Sequence, residues 1–306
     1  MRIVSLLPSA TEIAFALGLG DQLEGVTYEC DHPAEARAKP VVSTTALPQD
    51  RPLSAGEVDD LVTAFMDRGE AIYVLDKVLI QKIQPDLILC QDLCRVCAVP
   101  SGQVEEALDE LGCRSEVLSL DPNTIEEILE NIAQVGRATG MEARAKEVVE
   151  GLEARIDDVR RTAAGLPSIR MFCLEWSEPP FAAGHWIPGM VEIAGGLHLL
   201  TASDPPAPSK RVTWREVADA GPEVVVFMPC GYYLEEAEAE AEKLYEIPDF
   251  ADTPAARLGN VFAVDASSFF SRPGPRIVDG LEILAWAAHP EAFPEPSGDA
   301  VARIRS

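Results

Sequence analysis

The sequence is poor in basic residues, and this shortage limits the partners that the protein can have. It contains 25 Lys and Arg residues against 51 Asp and Glu residues, which gives a formal net charge of -26. Binding to nucleic acid or to an anionic membrane surface requires clustered Lys and Arg side chains next to the phosphates. We therefore expect no nucleic-acid partner, and we interpret the acidity as favouring solubility.

Long hydrophobic runs are also lacking. No window holds the roughly 20 consecutive apolar residues that a membrane-spanning helix needs. The run from Ile3 to Leu7 is too short for a signal peptide, and we interpret it as the first strand of the fold. As written, the sequence therefore predicts a cytoplasmic protein. The alternative is a periplasmic or cell-surface protein from which a leader has been removed.

The cysteine content does not predict a disulfide framework. There are seven cysteines, an odd number, and Cys90, Cys94 and Cys97 lie close together. This spacing is also used to hold iron–sulfur clusters, and three thiolates could equally hold zinc. However, Cys90 ends a buried apolar run, whereas a cluster-binding loop leaves all its thiols free to converge. We expect reduced thiols, with Cys94 and Cys97 as candidate metal ligands.

Motifs of hydrolytic enzymes are absent as well. The sequence has no Gly-x-Ser-x-Gly motif, and its four His residues do not fall at the spacing of a metal-binding pair. The sequence therefore gives no sign of a hydrolytic active site.

One long amphipathic helix organises the chain. Between Met141 and Ala164 apolar residues recur at spacings of three and four, and the other faces are charged. Such a helix spans roughly 35 Å, and strand-like segments lie on both sides of it. We predict a strut that joins two lobes, with an N-terminal lobe over 1–140, the connecting helix over 141–165 and a C-terminal lobe over 166–306.

Strands and helices alternate in both predicted lobes. Ile3 to Leu7 precedes a capping pattern at Ser9 and an apolar helix, and the runs 85–89 and 222–226 have the continuous apolar character of buried parallel strands. This alternation predicts an α/β fold with a parallel, Rossmann-like sheet in each lobe. Ligands of such sheets bind at the carboxyl ends of the strands, so we predict a ligand cleft between the lobes.

The most unusual loop follows the first strand of the second half. It covers 175–188 and combines Trp176, Phe181, His185 and Trp186 with several prolines and glycines. Rigid aromatic rings in a surface loop suit a large, flat, partly apolar ligand. A loop that folds its rings under itself is the alternative. His185 is the histidine best placed to touch a ligand or its metal, and the alternative is an exposed histidine without such a role.

Loops after later strands supply further aromatic and basic residues. Tyr232 follows the strand that ends near Met228, and Phe269 and Arg272 follow the strand that begins at Val261. In so acidic a protein, Arg272 could bind a carboxylate, an amide or a phosphate of a ligand. An ordinary ion pair is the alternative.

In their order along the chain, these segments resemble a known family. The resemblance rests on RIVSLLPSATEIAFALGLGDQLEGVT, PDLILCQ, the long helix, EWSEPPFAAGHWIPGMVEIAGG, GPEVVVFMPCG and the loop from Phe269 to Arg276. Together they look like the class III substrate-binding proteins of cobalamin, haem and iron-siderophore importers, and most like the cobalamin-binding members. The resemblance covers nearly the whole chain.

The resemblance implies a fold and a function. It implies two α/β lobes joined by one long helix, a corrinoid such as cobalamin held between them, and delivery to an ABC importer permease. We therefore predict a binding protein that is not an enzyme and that requires no cofactor. Haem or an iron siderophore is the alternative ligand, and a metalloprotein built on Cys90, Cys94 and Cys97 is the alternative class. A third possibility is a carrier that handles the corrinoid inside the cell. We expect a monomer.

The resemblance also assigns residues by position. Pro8 and Ser9 match the first ligand-side loop, Phe181 matches the second lobe's loop, and Phe269 with Arg272 matches the last. The complete predicted ligand-binding set is Pro8, Ser9, Trp176, Phe181, His185, Trp186, Tyr232, Phe269 and Arg272. Glu216 falls close to the second-lobe acid with which the family docks its permease. Asp76 lies about one turn before the first-lobe position, which Leu79 occupies.

Overall fold

The computed structural model describes residues 1–51, 53–92 and 99–305. Within it the chain divides into two units. The first comprises Met1–Pro122 and Glu127–Val149, and the second comprises Asn123–Glu126 and Glu150–Ser306. Cys94 and Cys97, the candidate metal ligands, lie outside the described residues.

A six-stranded sheet forms the centre of the first unit. Its strands are β1 (Ile3–Ser5), β2 (Leu23–Thr27), β3 (Val41–Thr45), β4 (Tyr73–Leu75), β5 (Leu87–Cys90) and β6 (Glu116–Ser119). Their order across the sheet is β4-β3-β2-β1-β5-β6. Only β4 is antiparallel to its neighbour. The carboxyl ends of the other five strands therefore lie along one edge.

Helices follow most of these strands. In the N-terminal half they are α1 (Pro8–Ala16), α2 (Ala55–Arg68), α3 (Lys77–Ile83), α4 (Ser101–Leu111), α5 (Ile125–Thr139) and α6 (Glu142–Ala163). The core beneath them is built by apolar strand residues such as Val4, Val42 and Ile88, which are fully buried. All four residues of β5 are buried, as expected of a central parallel strand.

The first helix starts earlier than the sequence pattern predicts. Pro8 is its first residue after Leu7, so Ser9 lies in the first turn and is 2% exposed. Proline suits this position because the N–H it lacks would have no helical partner there. The Thr11 hydroxyl donates to Ser5 Oγ at 2.8 Å and lies 3.0 Å from Cys30 Sγ. The predicted capping box at Ser9 is therefore wrong.

A seven-stranded sheet forms the centre of the second unit. Its strands are β7 (Ile169–Ser177), β8 (Pro180–Ala182), β9 (Gly196–His198), β10 (Lys210–Arg211), β11 (Val224–Phe227), β12 (Val261–Val264) and β13 (Val301–Ile304). Their order is β10-β8-β7-β11-β12-β13, with β9 also beside β7. The central strands β7, β11 and β12 are parallel to one another. β8 pairs antiparallel with both β7 and β10, and β13 pairs antiparallel with β12.

Both sheets are therefore mixed: the predicted parallel pairing holds for the central strands, and strands towards the edges pair antiparallel. In the second unit the reason is local: β8 follows β7 after only two residues, and a connection that short can join antiparallel strands only. The α/β class itself is confirmed.

The helices of the second half are mostly short. They are α7 (Ile187–Ile193), α8 (Trp214–Ala220), α9 (Leu234–Lys243), α10 (Pro248–Ala251), α11 (Pro254–Leu258), α12 (Ala266–Phe269) and α13 (Ile277–Ala288). Phe172, Phe227 and Phe250 are the largest side chains fully buried in this unit. They anchor its apolar core.

The predicted long helix is confirmed as α6, which has 22 residues. Residues up to Val149 belong to the first unit, and those from Glu150 belong to the second. In the second part Leu152, Ile156 and Val159 are buried, which matches the predicted apolar stripe. Two α/β lobes joined by one long helix are therefore confirmed.

Arg155 fastens α6 to α13 within the second unit. Its Nε and Nη2 donate to the two carboxylate oxygens of Glu282 at 2.9 and 2.8 Å, and Nη2 also donates to Asp279. We expect Arg155→Met to lower the free energy of unfolding by about 1 kcal/mol, since the pair is bidentate but partly exposed. Urea denaturation measures this. Arg161→Met, which removes a more exposed ion pair, is the matched control and should change stability by less than about 0.5 kcal/mol.

Candidate ligand-binding site

Residues 175–182, which the sequence predicts as a loop, form a β-hairpin. β7 continues through Ser177, and β8 returns directly after Glu178 and Pro179. Trp176 is paired with Phe181 across the hairpin. Large aromatic residues favour strands, so the residues that suggested a ligand surface also extend the strand. Both partly buried rings still lie at the carboxyl end of β7.

Trp176 contacts the loop that follows the neighbouring strand β11. Its ring centroid lies 5.6 Å from that of Tyr232 in an edge-to-face arrangement. The indole Nε1–H of Trp176 is buried and has no hydrogen-bond acceptor among the described residues. Burial raises the pKa of the Tyr232 phenol, and the charges of Glu240 and Glu236 raise it further. The phenol therefore stays protonated and able to donate.

The loop after β12 lies against the same residues. The Ser267 N–H in α12 donates to the Tyr232 carbonyl at 3.0 Å. Arg272, which is only 8% exposed, directs Nη2 towards the Tyr233 hydroxyl at 3.4 Å. The Arg276 guanidinium lies over the Phe269 ring, 5.7 Å from its centroid. Loops from three adjacent strands are thus brought together, as the topology rule for strand ends predicts.

Gly280 lets α13 approach this last loop closely. A Cβ atom at Gly280 would lie 2.2 Å from the Phe269 carbonyl oxygen, so Gly280→Ala forces the Phe269 loop away. We expect a loss of about 2 kcal/mol in the free energy of unfolding, measured by urea denaturation. Gly151→Ala in α6 is the matched control, because a Cβ there meets nothing within 4 Å. It should stabilise the protein by about 0.5 kcal/mol; equal effects of both changes would contradict the prediction.

Trp186 is buried and stabilises the loop after β12 through a hydrogen bond. It is 8% exposed, and its Nε1–H donates to the Phe270 carbonyl at 3.0 Å. This bond fastens the segment before α7 to the loop after β12. With His185, Gly189 and Glu192, Trp186 also lines a cavity of about 240 Å³.

The backbone of His185 is held in an uncommon conformation. Its φ is +52°, in the left-handed region that residues other than glycine seldom adopt. The His185 N–H donates to the Ala207 carbonyl at 2.7 Å. Burial lowers the pKa of the half-buried imidazole, so the ring is neutral at pH 7. Backbone conformations of this kind often mark functional positions.

A buried carboxyl group supports this segment from beneath. The Ser209 hydroxyl donates to the Glu175 carboxylate and accepts the Gly184 N–H at 3.2 Å. Burial raises the pKa of Glu175, and the bond from Ser209 opposes that shift. A Cβ at Gly184 would lie 2.3 Å from backbone atoms of Pro208 and Ser209. No sequence pattern marks Glu175 or Ser209, because both roles depend on contacts between distant segments.

The first unit presents a different group of residues at its strand ends. Pro8 is half-buried and Ser9 is buried. Tyr28 directly follows β2 and is 40% exposed, and it is not among the predicted ligand-binding residues. The phenol bonds the side chains of Glu29 and Thr45, and burial together with the charge of Glu29 raises its pKa. An aromatic residue immediately after a strand was the signal that could have identified it.

The two predicted docking acids lie at helix starts. Asp76 is the N-cap of α3, and its Oδ1 accepts the Leu79 N–H at 2.9 Å. Glu216 caps α8, where its carboxylate accepts the N–H and hydroxyl of Thr213 at 2.7 and 2.9 Å. These bonds lower the pKa of Glu216. Both carboxylates are exposed and negatively charged, and their docking role stays a prediction.

The described residues give no support to a metal centre on cysteine. Cys90 is fully buried, and burial, followed by the charge of Asp92, raises the pKa of its thiol to about 12. Across 1–51, 53–92 and 99–305 no three His, Cys, Asp or Glu side chains are grouped to hold a metal ion. The five described cysteines are free thiols.

Among residues 1–51, 53–92 and 99–305 no helix has the length and apolar character needed to cross a bilayer.

Comparison with known proteins shows the family. Residues 3–267 match the model of the periplasmic binding protein family. The chain therefore belongs to that family, and it is a substrate-binding protein of the ABC importer type.

Three similar proteins place the chain within this family. The vitamin B12-binding protein of Vibrio cholerae is 27% identical over 285 residues, which cover 92% of this chain and 86% of the relative. The uncharacterized ABC transporter substrate-binding lipoprotein YvrC of Bacillus subtilis is 23% identical over 96% of this chain and 82% of its own length. A periplasmic haem-binding protein from Pseudomonas aeruginosa has the same fold, with a TM-score of 0.71, 23% identity and coverage of 100% and 99% of the two chains.

These comparisons correct one expectation. The sequence as written predicts a cytoplasmic protein, but similar proteins with a stated location are periplasmic proteins or a lipoprotein. The cytoplasmic prediction is therefore wrong. It rested on the first few residues of the sequence, which carry little information about where a mature binding protein acts.

Proposed function

We propose that the protein binds a corrinoid and delivers it to an ABC importer permease, without catalysing a reaction. The observation that carries this proposal is the group formed by Trp176, Tyr232, Phe269 and Arg272, hereafter the aromatic cluster. Its members come from the carboxyl ends of β7, β11 and β12, which lie side by side in one sheet.

The chemistry of the aromatic cluster suits a corrinoid. A corrin ring is broad and partly apolar, and aromatic side chains cover such a surface with little loss of conformational entropy. Amide groups surround the ring, and the Arg272 guanidinium can donate to their carbonyl oxygens. The buried Trp176 N–H adds an unused donor, and unsatisfied buried groups of this kind are uncommon outside functional sites.

We further propose that Phe181 and His185 extend the aromatic cluster, while Trp186 positions it. Phe181 lies opposite Trp176 in the hairpin. The neutral imidazole of His185 has a lone pair that can reach a metal carried by the ligand. Trp186 is buried and bonded to Phe270, so its contribution is to hold His185 and the last loop in place.

Charge favours a corrinoid over haem or a ferric siderophore. The protein carries a formal net charge of -26, which repels anionic ligands at long range. Haem has two propionates, and many ferric siderophores are anions, whereas cobalamin has little net charge. The 27% identity with a vitamin B12-binding protein over most of both chains supports the same choice.

The family supports a proposal for the location and the partner. We propose that the protein acts in the periplasm or on the cell surface, and that Glu216 and Asp76 contribute to permease docking. Fractionation of the native organism tests the location, and recovery in the cytoplasm alone would contradict it.

Ligand titration tests the proposed function. Tryptophan fluorescence and calorimetry are followed while cyanocobalamin, cobinamide and hemin are added separately. We expect the two corrinoids to bind with dissociation constants on the order of 1 μM or below, and hemin to bind more weakly. Absence of binding by all three at micromolar concentrations would overturn the proposal, and so would binding of hemin alone.

A further inference from the structure

A cavity of about 780 Å³ lies at the end of the second sheet that is remote from the aromatic cluster. We name it the basal cavity. Its floor includes Ile169 and Val224, the first residues of β7 and β11. The last turn of α13 and segment 290–298 form its other walls. Small-molecule sites in proteins commonly occupy about 300–1,000 Å³, so the basal cavity is large enough for a ligand.

Two aromatic rings form part of an apolar wall of the basal cavity. Phe262 in β12 and Trp286 in α13 meet edge to face, with ring centroids 5.3 Å apart. Phe262 is 5% exposed and Trp286 is half-buried. Ala287, Ala288 and Val301 continue this wall. An aromatic ligand can pack here with favourable contact area.

A fixed guanidinium group lies next to this wall. Arg303 in β13 donates from Nε to the Gly259 carbonyl and from Nη2 to Asn260 Oδ1, both at 2.6 Å. Its guanidinium also lies over the Phe262 ring, 5.7 Å from the centroid. These contacts hold the planar group in place, so it can meet an anion with little loss of side-chain entropy.

Two arginines and two carboxylates line the basal cavity. Arg305 is two residues beyond Arg303 and lines the same cavity. Of the two lining carboxylates, Glu223 already accepts the Arg170 N–H at 2.9 Å, and Glu295 is on the exposed segment 290–298. Two arginines beside an apolar wall are unusual in a chain with 25 basic and 51 acidic residues. This combination suits an anion with a flat apolar body.

We propose that the basal cavity is a second ligand site, which binds aromatic molecules that carry a carboxylate or sulfonate. Trp286 and Phe262 contact the rings, and Arg303 and Arg305 bind the anionic group. This proposal does not depend on corrinoid binding, because none of the basal residues belongs to the aromatic cluster.

Two fluorescent probes with matched rings test the proposal. The anionic probe is 8-anilinonaphthalene-1-sulfonate, and N-phenyl-1-naphthylamine has the same rings without the sulfonate. We expect the folded protein at pH 7.5 to bind the sulfonate at one site, and Trp286→Ala to weaken both probes roughly tenfold. Arg303→Gln combined with Arg305→Gln should weaken the sulfonate roughly tenfold and the neutral probe less than about twofold.

Control variants keep the test decisive. Trp176→Ala and Arg161→Gln change an aromatic and an arginine outside the basal cavity, and both should bind the sulfonate as the unchanged protein does. Saturating cyanocobalamin should not displace the probe. No sulfonate binding, binding insensitive to Trp286→Ala, or displacement by cyanocobalamin would each overturn the proposal. Thermal melting verifies that every variant is folded. Because the basal cavity shares no residue with the aromatic cluster, the probe result can be interpreted even if cobalamin does not bind.

Discussion

Replacing Trp176 by alanine is expected to weaken corrinoid binding about 100-fold, which corresponds to about 2.7 kcal/mol. Large aromatic anchors near the centre of a contact surface commonly contribute this much. Trp176 has the largest ring in the aromatic cluster, and its edge-to-face contact at 5.6 Å orients Tyr232. The alanine variant loses the contact area and leaves Tyr232 without this neighbour. Calorimetric titration with cyanocobalamin measures the change.

Two further variants separate binding from stability. Trp286→Ala removes an indole of the same size from α13, at the basal cavity, and it should leave corrinoid affinity within about twofold. Trp176→Phe keeps a flat ring but loses the indole N–H, so it should bind roughly tenfold more weakly than the unchanged protein. Unaltered affinity in Trp176→Ala would show that the ligand does not contact this ring.

The central architecture could be predicted because its signals are local. The apolar spacing over 141–164 defines α6, and continuous apolar runs define β5 and β11. The short strands on one side of the second sheet carry weaker signals, since β10 has two residues and β8 has three. Trp176 and Phe181 were ambiguous for a physical reason: aromatic residues favour both strands and ligand surfaces. The hairpin that contains them was therefore interpreted as a loop.

The candidate site could be predicted only where a strand end indicates it. Tyr232, Phe269 and Arg272 all follow strands of one sheet, so topology places them together. Tyr28 also follows a strand, in the sheet of the first unit. In contrast, the bond from Trp186 to Phe270 joins residues 84 positions apart, and the bond from Ser209 to Glu175 joins residues 34 apart. Such contacts depend on how the loops pack, which residue spacing does not encode.

These long-range bonds separate two kinds of residue in the second unit: those that fix the loops and those that are available to a ligand. Hydrogen-bonded side chains such as Trp186 and Glu175 fix the backbone of the loops, while partly buried rings such as Tyr232 and Phe269 remain available at their surface. A binding site needs both kinds of residue, since rings that are held in place lose less entropy when a ligand arrives. Loss of a bracing residue should therefore reduce affinity even though that residue makes no contact with the ligand.

Acidification is expected to destabilise the protein through His198. This residue ends β9 and is 7% exposed. The Thr201 hydroxyl lies 2.9 Å from His198 Nδ1 and donates its only proton to the Ala183 carbonyl at 2.5 Å. Nδ1 must therefore carry a proton and donate to Thr201. Nε2 is then unprotonated, and it is buried without a partner among the described residues.

Protonation of Nε2 would place an unpaired charge in the interior, and burial accordingly lowers the pKa of His198 to about 4. The unfolded chain, with a pKa near 6.5, binds the proton more readily. The His198 contribution to stability is complete above about pH 6.5 and is lost as the pH falls towards 4. A shift of this size corresponds to about 3 kcal/mol by pH 4 and about 2 kcal/mol at pH 5.

His198→Asn isolates this contribution. The asparagine amide can still donate to Thr201 from nearly the same position, but it does not titrate. Urea denaturation measures the free energy of unfolding at pH 7.5 and at pH 5.0. The decrease between these two pH values should be about 2 kcal/mol smaller in the variant than in the unchanged protein. Burial also lowers the pKa of His289. His289 and the acidic residues titrate in both proteins, so their contributions to the pH dependence cancel in this difference. Parallel pH profiles would mean that His198 is protonated at no cost, and hence that Nε2 is not isolated from water.

Because Thr201 also bonds Ala183, next to Gly184 and His185, the same acidification should loosen the segment that presents His185.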